Sequence, residues 1–266
     1  MQRYLAVRPG PATDGVRLLC FHHAGGGAMT FAGWQRRIGP DVSVLPVRLP
    51  GRETRRREDR ITDGARLLAE LQEDLGPLLD EPYALYGHSL GALVAYRFAE
   101  HRMRAGLRPP ELLSVGACSA PQLPAPVLET LLSPELPDEE LIRALGDKES
   151  IPAPLRGRIG WLAGTLATLR TDLLLAQDLR STPVTALPCP LDAYAGEVDP
   201  LVSAPEVHAW QECTTDRFRL RTVRGTHFFV RGRDVPRAMG EALRAPATGP
   251  GAARPGTAPR QAGRST

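Results

Sequence analysis

Short apolar runs alternate with longer amphipathic stretches along the first half of the chain. The apolar runs have the length of strands, and the amphipathic stretches have the length of helices. The predicted strands are Val16–Phe21, Val42–Val47, Tyr83–Tyr86 and Leu112–Ala117, and the predicted helices are Ile61–Leu79 and a segment from Ala92 to about Arg104. Strands that alternate with helices predict an α/β fold with a mostly parallel central sheet and helices on both faces.

The alternation stops between residues 122 and 183, where the sequence offers no strand. A short helix is predicted at Pro137–Gly146, which has acidic residues in its first turn and a Gly at its end. A long helix is predicted at Leu155–Leu179, because apolar residues recur there every three or four positions. We interpret residues 122–183 as an all-helical cap inserted between two parts of one core, 1–121 and 184–244. Such a cap would supply apolar walls for a substrate and shield a site from water.

The length and composition fit a single domain of this kind. With 266 residues, of which 42% are hydrophobic, the chain can bury a sizeable core. No apolar run reaches about 18 residues, so we expect no membrane span. No apolar leader follows Met1, and the four cysteines form no Cys-x-x-Cys pair. We therefore expect a cytoplasmic protein whose cysteines are reduced and mostly buried.

The net charge of +3 comes from the end of the chain. Residues 245–266 contain three arginines and no acidic residue, and they are so rich in Ala, Pro and Gly that we expect a disordered tail. The rest of the chain has 30 basic and 30 acidic side chains, which argues against a nucleic-acid-binding protein. A local basic cluster is present at Arg48, Arg52, Arg55, Arg56, Arg57 and Arg60. It is either a solvated loop and helix start or a surface that docks an acidic partner.

The candidate chemistry begins at the pentapeptide Gly87-His88-Ser89-Leu90-Gly91, which lies between a predicted strand and a predicted helix. In this context Gly-x-Ser-x-Gly is typical of a nucleophile elbow, a strained turn that lifts the Ser hydroxyl clear of the sheet. The glycines avoid side chains that would clash with the strand and the helix. The motif alone also fits an ordinary strand-to-helix turn. An acid, a base and an oxyanion hole must therefore accompany it.

The base is predicted to be His227. In α/β hydrolases an acid and then a His follow the nucleophilic Ser along the chain, and two histidines lie well downstream of Ser89. His227 comes just after the predicted strand Phe218–Val223, where a loop at the strand end can reach the elbow. His208 lies in a predicted surface helix, where a solvated side chain is the simpler interpretation.

The acid is predicted to be Asp199. It lies in the loop after the predicted strand Leu191–Gly196, and Pro200 restricts the backbone beside it. Its carboxylate would orient the base and stabilise the imidazolium that forms when the nucleophile loses its proton. Glu197, in the same loop, is the alternative acid. Asp192 falls within the strand and should point away from the site.

The oxyanion hole requires two backbone N–H groups directed at the developing charge. One is predicted from Leu90, directly after the nucleophile, and the other from Ala24. Ala24 lies where an apolar strand runs into Gly25-Gly26-Gly27. A Gly-rich loop can also hold a phosphate, but neither the P-loop nor the dinucleotide-binding spacing is present. We predict no cofactor and no metal site.

Five segments in matching order make the chain similar to type II thioesterases, the stand-alone editing hydrolases of polyketide synthases and nonribosomal peptide synthetases. They are Phe21-His22-His23-Ala24-Gly25-Gly26, Leu49-Pro50-Gly51-Arg52-Glu53, Tyr86-Gly87-His88-Ser89-Leu90-Gly91-Ala92, Leu169-Arg170-Thr171-Asp172 and Gly225-Thr226-His227-Phe228-Phe229. The resemblance covers roughly residues 15–243. It departs at His22, Thr171 and Thr226, where the family usually has Pro, Ala and Gly.

The resemblance implies an α/β-hydrolase fold and the hydrolysis of acyl thioesters through an acyl-serine intermediate. The implied substrate is an aberrant or stalled acyl group on the phosphopantetheine arm of an acyl or peptidyl carrier protein. Carrier proteins are typically acidic, so the stretch from Arg52 to Arg60 is a candidate docking surface. We expect a monomer. Two alternatives remain open: a carboxylesterase or lipase that hydrolyses small oxygen esters, and a non-catalytic binding protein on the same fold.

Overall fold

Six parallel strands form one sheet in the computed structural model, which describes residues 2–10, 15–145 and 159–244. The strands are β1 (Val16–Phe21), β2 (Val42–Pro46), β3 (Tyr83–His88), β4 (Leu112–Gly116), β5 (Leu191–Gly196) and β6 (Phe218–Val223). Their order across the sheet is β2-β1-β3-β4-β5-β6. Every residue of β3, β4 and β5 is buried, because helices cover both faces of the central strands.

The helices divide between the two faces of the sheet. They are α1 (Gln35–Ile38), α2 (Gly64–Leu75), α3 (Leu90–Arg104), α4 (Pro126–Leu132), α5 (Asp138–Leu145), α6 (Ile159–Ser181), α7 (Ala204–His208) and α8 (Asp234–Arg244). Buried side chains of α1 and α8 share one apolar cluster with Trp34. Those of α2, α3 and the end of α6 share the other. The prediction of a mostly parallel sheet with helices on both faces is confirmed.

The strand order determines where a site can form. The chain runs from β1 outward to β2 and then returns to place β3 on the other side of β1. Phe21, the last residue of β1, pairs with Gly87 near the end of β3. The loops that leave these two strands therefore diverge at one point on the carboxyl edge of the sheet, which is where open α/β sheets bind ligands.

Among the residues described between β4 and β5, where the sequence predicted a helical insertion, there are three helices, α4 to α6. Their side chains form a small apolar cluster of their own, made of Leu131, Leu141, Leu166, Leu169 and Leu173. The cluster packs against Ala24 in the loop after β1, so these helices lie over the carboxyl edge of the sheet. The end of the predicted short helix at Gly146, the start of the predicted long helix at 155–158, and the tail at 245–266 fall outside the described residues.

One predicted helix is shorter than expected. The amphipathic pattern predicted a helix over Ile61–Leu79, but α2 begins at Gly64 and ends at Leu75. The side chain of Asp63 accepts a hydrogen bond from the Arg66 N–H at 3.0 Å and caps the first turn. Pro77 has no N–H for the next helical hydrogen bond, and a 3₁₀ turn follows instead.

The structure agrees with the expectation that the cysteines are reduced and mostly buried. Cys20, Cys118, Cys189 and Cys213 are all buried and carry free thiols. Burial raises the pKa of the Cys189 thiol to about 12, which leaves it protonated and unreactive at neutral pH. Among the residues described, no helix is both long and apolar enough to cross a bilayer.

Candidate active site

Ser89 occupies the strained turn that the pentapeptide predicted. Its backbone has φ 55° and ψ −118°, a conformation that L residues rarely adopt. A side chain on Gly87 would collide with the Gly91 carbonyl, and one on Gly91 would collide with the Phe21 carbonyl. The turn is further held by the Ser89 N–H, which donates to the Gly116 carbonyl at 2.8 Å. These contacts place the Ser89 side chain at the carboxyl edge of the sheet.

The three side chains predicted for the triad meet at this edge. His227 Nε2 lies 3.1 Å from Ser89 Oγ, and His227 Nδ1 lies 2.9 Å from Asp199 Oδ2. Each residue follows a different strand, and they come together because the carboxyl ends of parallel strands share one edge of the sheet. In this geometry Nδ1–H donates to the carboxylate and Nε2 can accept the hydroxyl proton of Ser89.

The carboxylate of Asp199 stays ionised at neutral pH. Burial by itself would raise the pKa of Asp199, but hydrogen bonding and charge attraction from His227, together with hydrogen bonds from the Leu201 and Val202 N–H groups, hold the pKa below its ordinary value. The N–H groups of Leu201 and Val202 also donate to Oδ1, at 2.9 and 3.3 Å. A carboxylate fixed by three donors is well placed to hold one tautomer and one orientation of the imidazole.

The alternative residues lie away from this cluster. Glu197 is exposed in the same loop as Asp199, and His208 is exposed on α7. Asp192 is completely buried within β5, where its closest cationic partner is Arg217 at 3.6 Å. Burial raises the pKa of the Asp192 carboxyl. None of the three contacts Ser89 or His227.

A second imidazole supports the backbone of His227, and the sequence analysis missed it. His88 Nε2 donates to the His227 carbonyl at 2.7 Å, and His88 Nδ1 accepts from the Tyr86 hydroxyl at 2.9 Å. Burial lowers the pKa of His88 well below its ordinary value, so the ring is neutral and can accept from Tyr86. The signal was present in the sequence, because His88 is the second residue of the pentapeptide.

The two residues predicted to supply the oxyanion donors lie at the same pocket as Ser89 and His227. Ala24 and Leu90 both line it. Within the described part of the chain, no acceptor takes a hydrogen bond from either N–H. Leu90 is the first residue of α3, where helical N–H groups have no partner within the helix and the helix dipole favours negative charge. Both groups are therefore available to the oxyanion that forms on the carbonyl oxygen when Ser89 Oγ attacks the carbonyl carbon.

The pocket beside Ser89 is small and mainly apolar, with a volume of about 100 Å³. Leu93 of α3 forms one wall, and Leu131 and Leu173 from the inserted helices form another. Arg180 also lines the pocket and donates to the carbonyls of Ser119, Ala120 and Leu123 at 2.8 to 3.1 Å. The inserted helices thus supply apolar walls, which is the contribution that the sequence predicted for them.

Of the six arginines in the basic cluster of the sequence, two are buried, two are half-buried and two are exposed. Arg52 is buried against Asp172 of α6, and its two terminal nitrogens lie 2.7 and 2.8 Å from that carboxylate. Arg55 is also buried, paired with Glu58 at 2.6 Å and stacked 4.1 Å from the ring centroid of Tyr4. Neither side chain can dock a partner. Of the six arginines, the fully exposed ones are Arg56 and Arg57.

Buried neutral histidines make the fold sensitive to acid. Burial, with the positive charge of Arg52, lowers the pKa of His22 to about 3, and burial likewise lowers the pKa of His23 and His88. Between pH 6.5 and the folded-state values, the unfolded chain binds protons that the folded chain does not. Each such histidine therefore makes its full contribution to the free energy of unfolding above about pH 6.5. This contribution decreases as the pH falls, by up to about 1.4 kcal/mol per pH unit.

We expect the free energy of unfolding to fall by about 2 kcal/mol between pH 7.5 and 5 on account of His22, with further losses of the same sign from His23 and His88. Urea unfolding at several pH values measures this change. His22→Asn removes one titrating ring and should flatten the profile, whereas His208→Asn, at an exposed site, should follow the wild type. Parallel profiles for His22→Asn and the wild type would contradict the expectation.

Comparison with known proteins gives a consistent picture. Residues 16–244 match the family described as the thioesterase domain. The chain is 36% identical over 225 residues to the AMB antimetabolite synthetase AmbE of Pseudomonas aeruginosa, a match that covers 84% of this chain but 10% of the length of AmbE. The matched region is thus a small part of that relative.

Two solved structures extend the comparison to the fold. RedJ, a thioesterase from the prodiginine biosynthetic pathway in Streptomyces coelicolor, has 35% sequence identity and a TM-score of 0.77, covering 89% of this chain and 91% of RedJ. BorB, a type II thioesterase from the borrelidin biosynthetic cluster, has 32% identity and a TM-score of 0.76, covering 91% of this chain and 98% of BorB. The predicted α/β-hydrolase fold is confirmed.

Proposed function

Because the chain belongs to the thioesterase family as a type II thioesterase, we propose that it hydrolyses acyl thioesters with Ser89 as nucleophile and His227 as general base. Asp199 orients the imidazole. The observation that carries the proposal is the continuous line of contacts from Asp199 through His227 to Ser89 Oγ, with separations of 2.9 and 3.1 Å. This line of contacts lies at a pocket lined by Ala24 and Leu90, whose N–H groups have no acceptor among the described residues.

The reaction follows from this geometry. Ser89 Oγ attacks the thioester carbonyl while His227 Nε2 takes its proton, and the N–H groups of Ala24 and Leu90 stabilise the oxyanion. Collapse of the tetrahedral intermediate breaks the C–S bond, His227 gives its proton to the departing sulfur, and an acyl ester is left on Ser89. A water molecule, deprotonated by His227, then attacks that ester and releases the free acid. A thiolate is a good leaving group, so its departure places little demand on proton donation.

The proposed substrate is an aberrant or stalled acyl group on the phosphopantetheine arm of an acyl or peptidyl carrier protein. Hydrolysis would remove this acyl group from the biosynthetic assembly line. The biosynthetic context of RedJ and BorB supports this class. The pocket of about 100 Å³ supports short acyl chains, because a cavity of about 150 Å³ holds a molecule the size of benzene. The inserted helices belong to the cap predicted for residues 122–183. Such a cap would exclude water from the acyl-enzyme.

A carrier protein would dock on a smaller basic surface than the sequence indicated. Arg56 and Arg57 remain exposed beside the loop that holds Arg52. Their positive charge complements an acidic carrier, so they are the residues of this stretch that support docking. The monomeric state and the cytoplasmic location remain predictions from the sequence.

The test compares three substrates that carry the same acyl group. The protein is incubated with the acyl-loaded carrier protein, with a small acyl thioester and with the p-nitrophenyl ester, and intact mass spectrometry or absorbance follows the products. We expect the highest kcat/KM for the carrier-bound thioester. A preference for the oxygen ester would favour a carboxylesterase. No turnover of any of them, with no labelling of Ser89 by a fluorophosphonate, would favour a non-catalytic binding protein.

A further inference from the structure

One carboxylate on α6 holds the loop that carries Ala24. Asp172 Oδ2 accepts a hydrogen bond from the Gly25 N–H at 2.8 Å, and both of its oxygens accept from Arg52, at 2.7 and 2.8 Å. Arg52 in turn donates to the Gly26 carbonyl at 3.0 Å. The Asp172–Arg52 pair, here called the loop clamp, thus holds an N–H and a carbonyl of the same loop.

The loop clamp is buried, which makes its geometry well defined. The Asp172 side chain is 2% exposed and that of Arg52 is 8% exposed. Hydrogen bonds to charged groups are short and strong where water is excluded, and the planar guanidinium fits a carboxylate through two parallel bonds. The two side chains are separated by 120 residues along the chain, so the clamp joins an inserted helix to the core.

Apolar packing brings α6 against the same loop. Leu169 lies one helical turn before Asp172, and a side chain on Gly25 would come within 3.3 Å of its Cδ1 atom. Gly25 has φ +71°, a conformation that glycine adopts without strain. Ala24 packs against the apolar cluster that includes Leu169 and Leu173. The inserted helix α6 therefore contacts the loop through apolar as well as polar side chains.

We propose that Asp172 is a positioning residue for the oxyanion hole and that the loop clamp couples the seating of α6 to catalysis. By holding the peptides at Gly25 and Gly26, it directs the adjacent Ala24 N–H into the pocket. A displaced α6 leaves Ser89 and His227 in contact but removes one donor to the oxyanion. Hydrolysis then proceeds only when the inserted helices cover the site. This inference rests on the proposed function, because it assigns Ala24 a role in that reaction.

The test replaces Asp172 and measures transition-state stabilisation separately from substrate binding. For Asp172→Ala we expect kcat on a small acyl thioester to fall about 10- to 100-fold, because misplacing one oxyanion donor weakens an interaction made in the transition state. KM should change less than about threefold. The Ki of an acyl trifluoromethyl ketone, which forms an anionic hemiketal with Ser89, should rise by the same factor as kcat falls.

Two further variants grade the effect. Asp172→Asn keeps an amide oxygen that can accept from the Gly25 N–H, so its kcat should lie between those of the wild type and Asp172→Ala. The double variant Arg52→Gln/Asp172→Ala removes both charges and avoids an unpaired buried guanidinium. It should fold, as shown by a cooperative thermal transition, and its kcat should stay low.

Asp178→Ala is the matched control. Asp178 lies on the same helix and also accepts from a backbone N–H of the core, that of Gly64 at 2.8 Å, but this contact is at the start of α2. We expect its kcat and Ki to match the wild type. Equal losses in both Ala variants, a loss confined to KM, or an unchanged Ki in folded Asp172→Ala would overturn the proposal. Failure of the proposed function is distinguishable, because it appears as absent thioester turnover in the wild-type protein.

Discussion

Ser89→Ala is expected to lower kcat on an acyl thioester by roughly 10⁵- to 10⁶-fold, the scale of loss when the nucleophile of a triad is removed. The variant keeps the pocket and the oxyanion donors but can form no acyl-enzyme. Stopped assays analysed by intact mass spectrometry should show acylation of the wild type and none of the variant. The fold should be retained, because the backbone N–H of Ser89, and not its hydroxyl, donates to Gly116.

Ser43→Ala provides the comparison. Ser43 lies on the edge strand β2, away from the carboxyl ends that form the site, and the same substitution there should leave kcat unchanged. If Ser89→Ala retained more than about one hundredth of the wild-type kcat, the acyl-serine route would be excluded.

Asp199→Asn is expected to lower kcat by about 10⁴-fold with little change in the structure. The amide NH₂ would face His227 Nδ1 and favour the tautomer that carries its proton on Nε2. That nitrogen could then no longer accept the proton of Ser89. Because the pKa of Asp199 is lowered, the wild-type carboxylate stays charged through the neutral and mildly acidic range. The loss in the variant should therefore persist across that range.

Glu197→Gln is the matched control, since Glu197 lies two residues earlier in the same loop and is exposed. Steady-state kinetics of both variants against one thioester decide which acid is used. A large loss in Glu197→Gln, with Asp199→Asn near the wild type, would reverse the assignment.

The loop clamp also bears on why a buried ion pair is present. Replacing a buried ion pair by apolar residues is often neutral or stabilising, so stability alone does not explain Arg52 and Asp172. A role in directing the Ala24 loop supplies a reason for the pair other than stability. It also explains why α6 combines a carboxylate at Asp172 with leucines at positions 169 and 173, which face the loop and the pocket.

Much of the site was predictable because its elements are local in sequence. The apolar runs predicted all six strands, and the two glycines around Ser89 predicted a turn that excludes side chains at those positions. The order of Ser89, Asp199 and His227 placed each after a different strand. Because the carboxyl ends of parallel strands share one edge of the sheet, the sequence predicts that these residues meet there.

Other features depended on contacts that no local pattern encodes. Arg52 and Arg55 belong to one basic stretch in the sequence, yet both are buried, because their carboxylate and aromatic partners come close only when the chain folds. His88 was known as part of a motif, but its bond to the His227 carbonyl depends on how the loop after β6 packs on the elbow. Sequence determined the strands, the turn and the chemical types at the site, since periodicity and steric rules act over a few residues. Tertiary structure decided the partners of each charged or imidazole side chain, since hydrogen bonds and burial depend on distances between segments far apart along the chain.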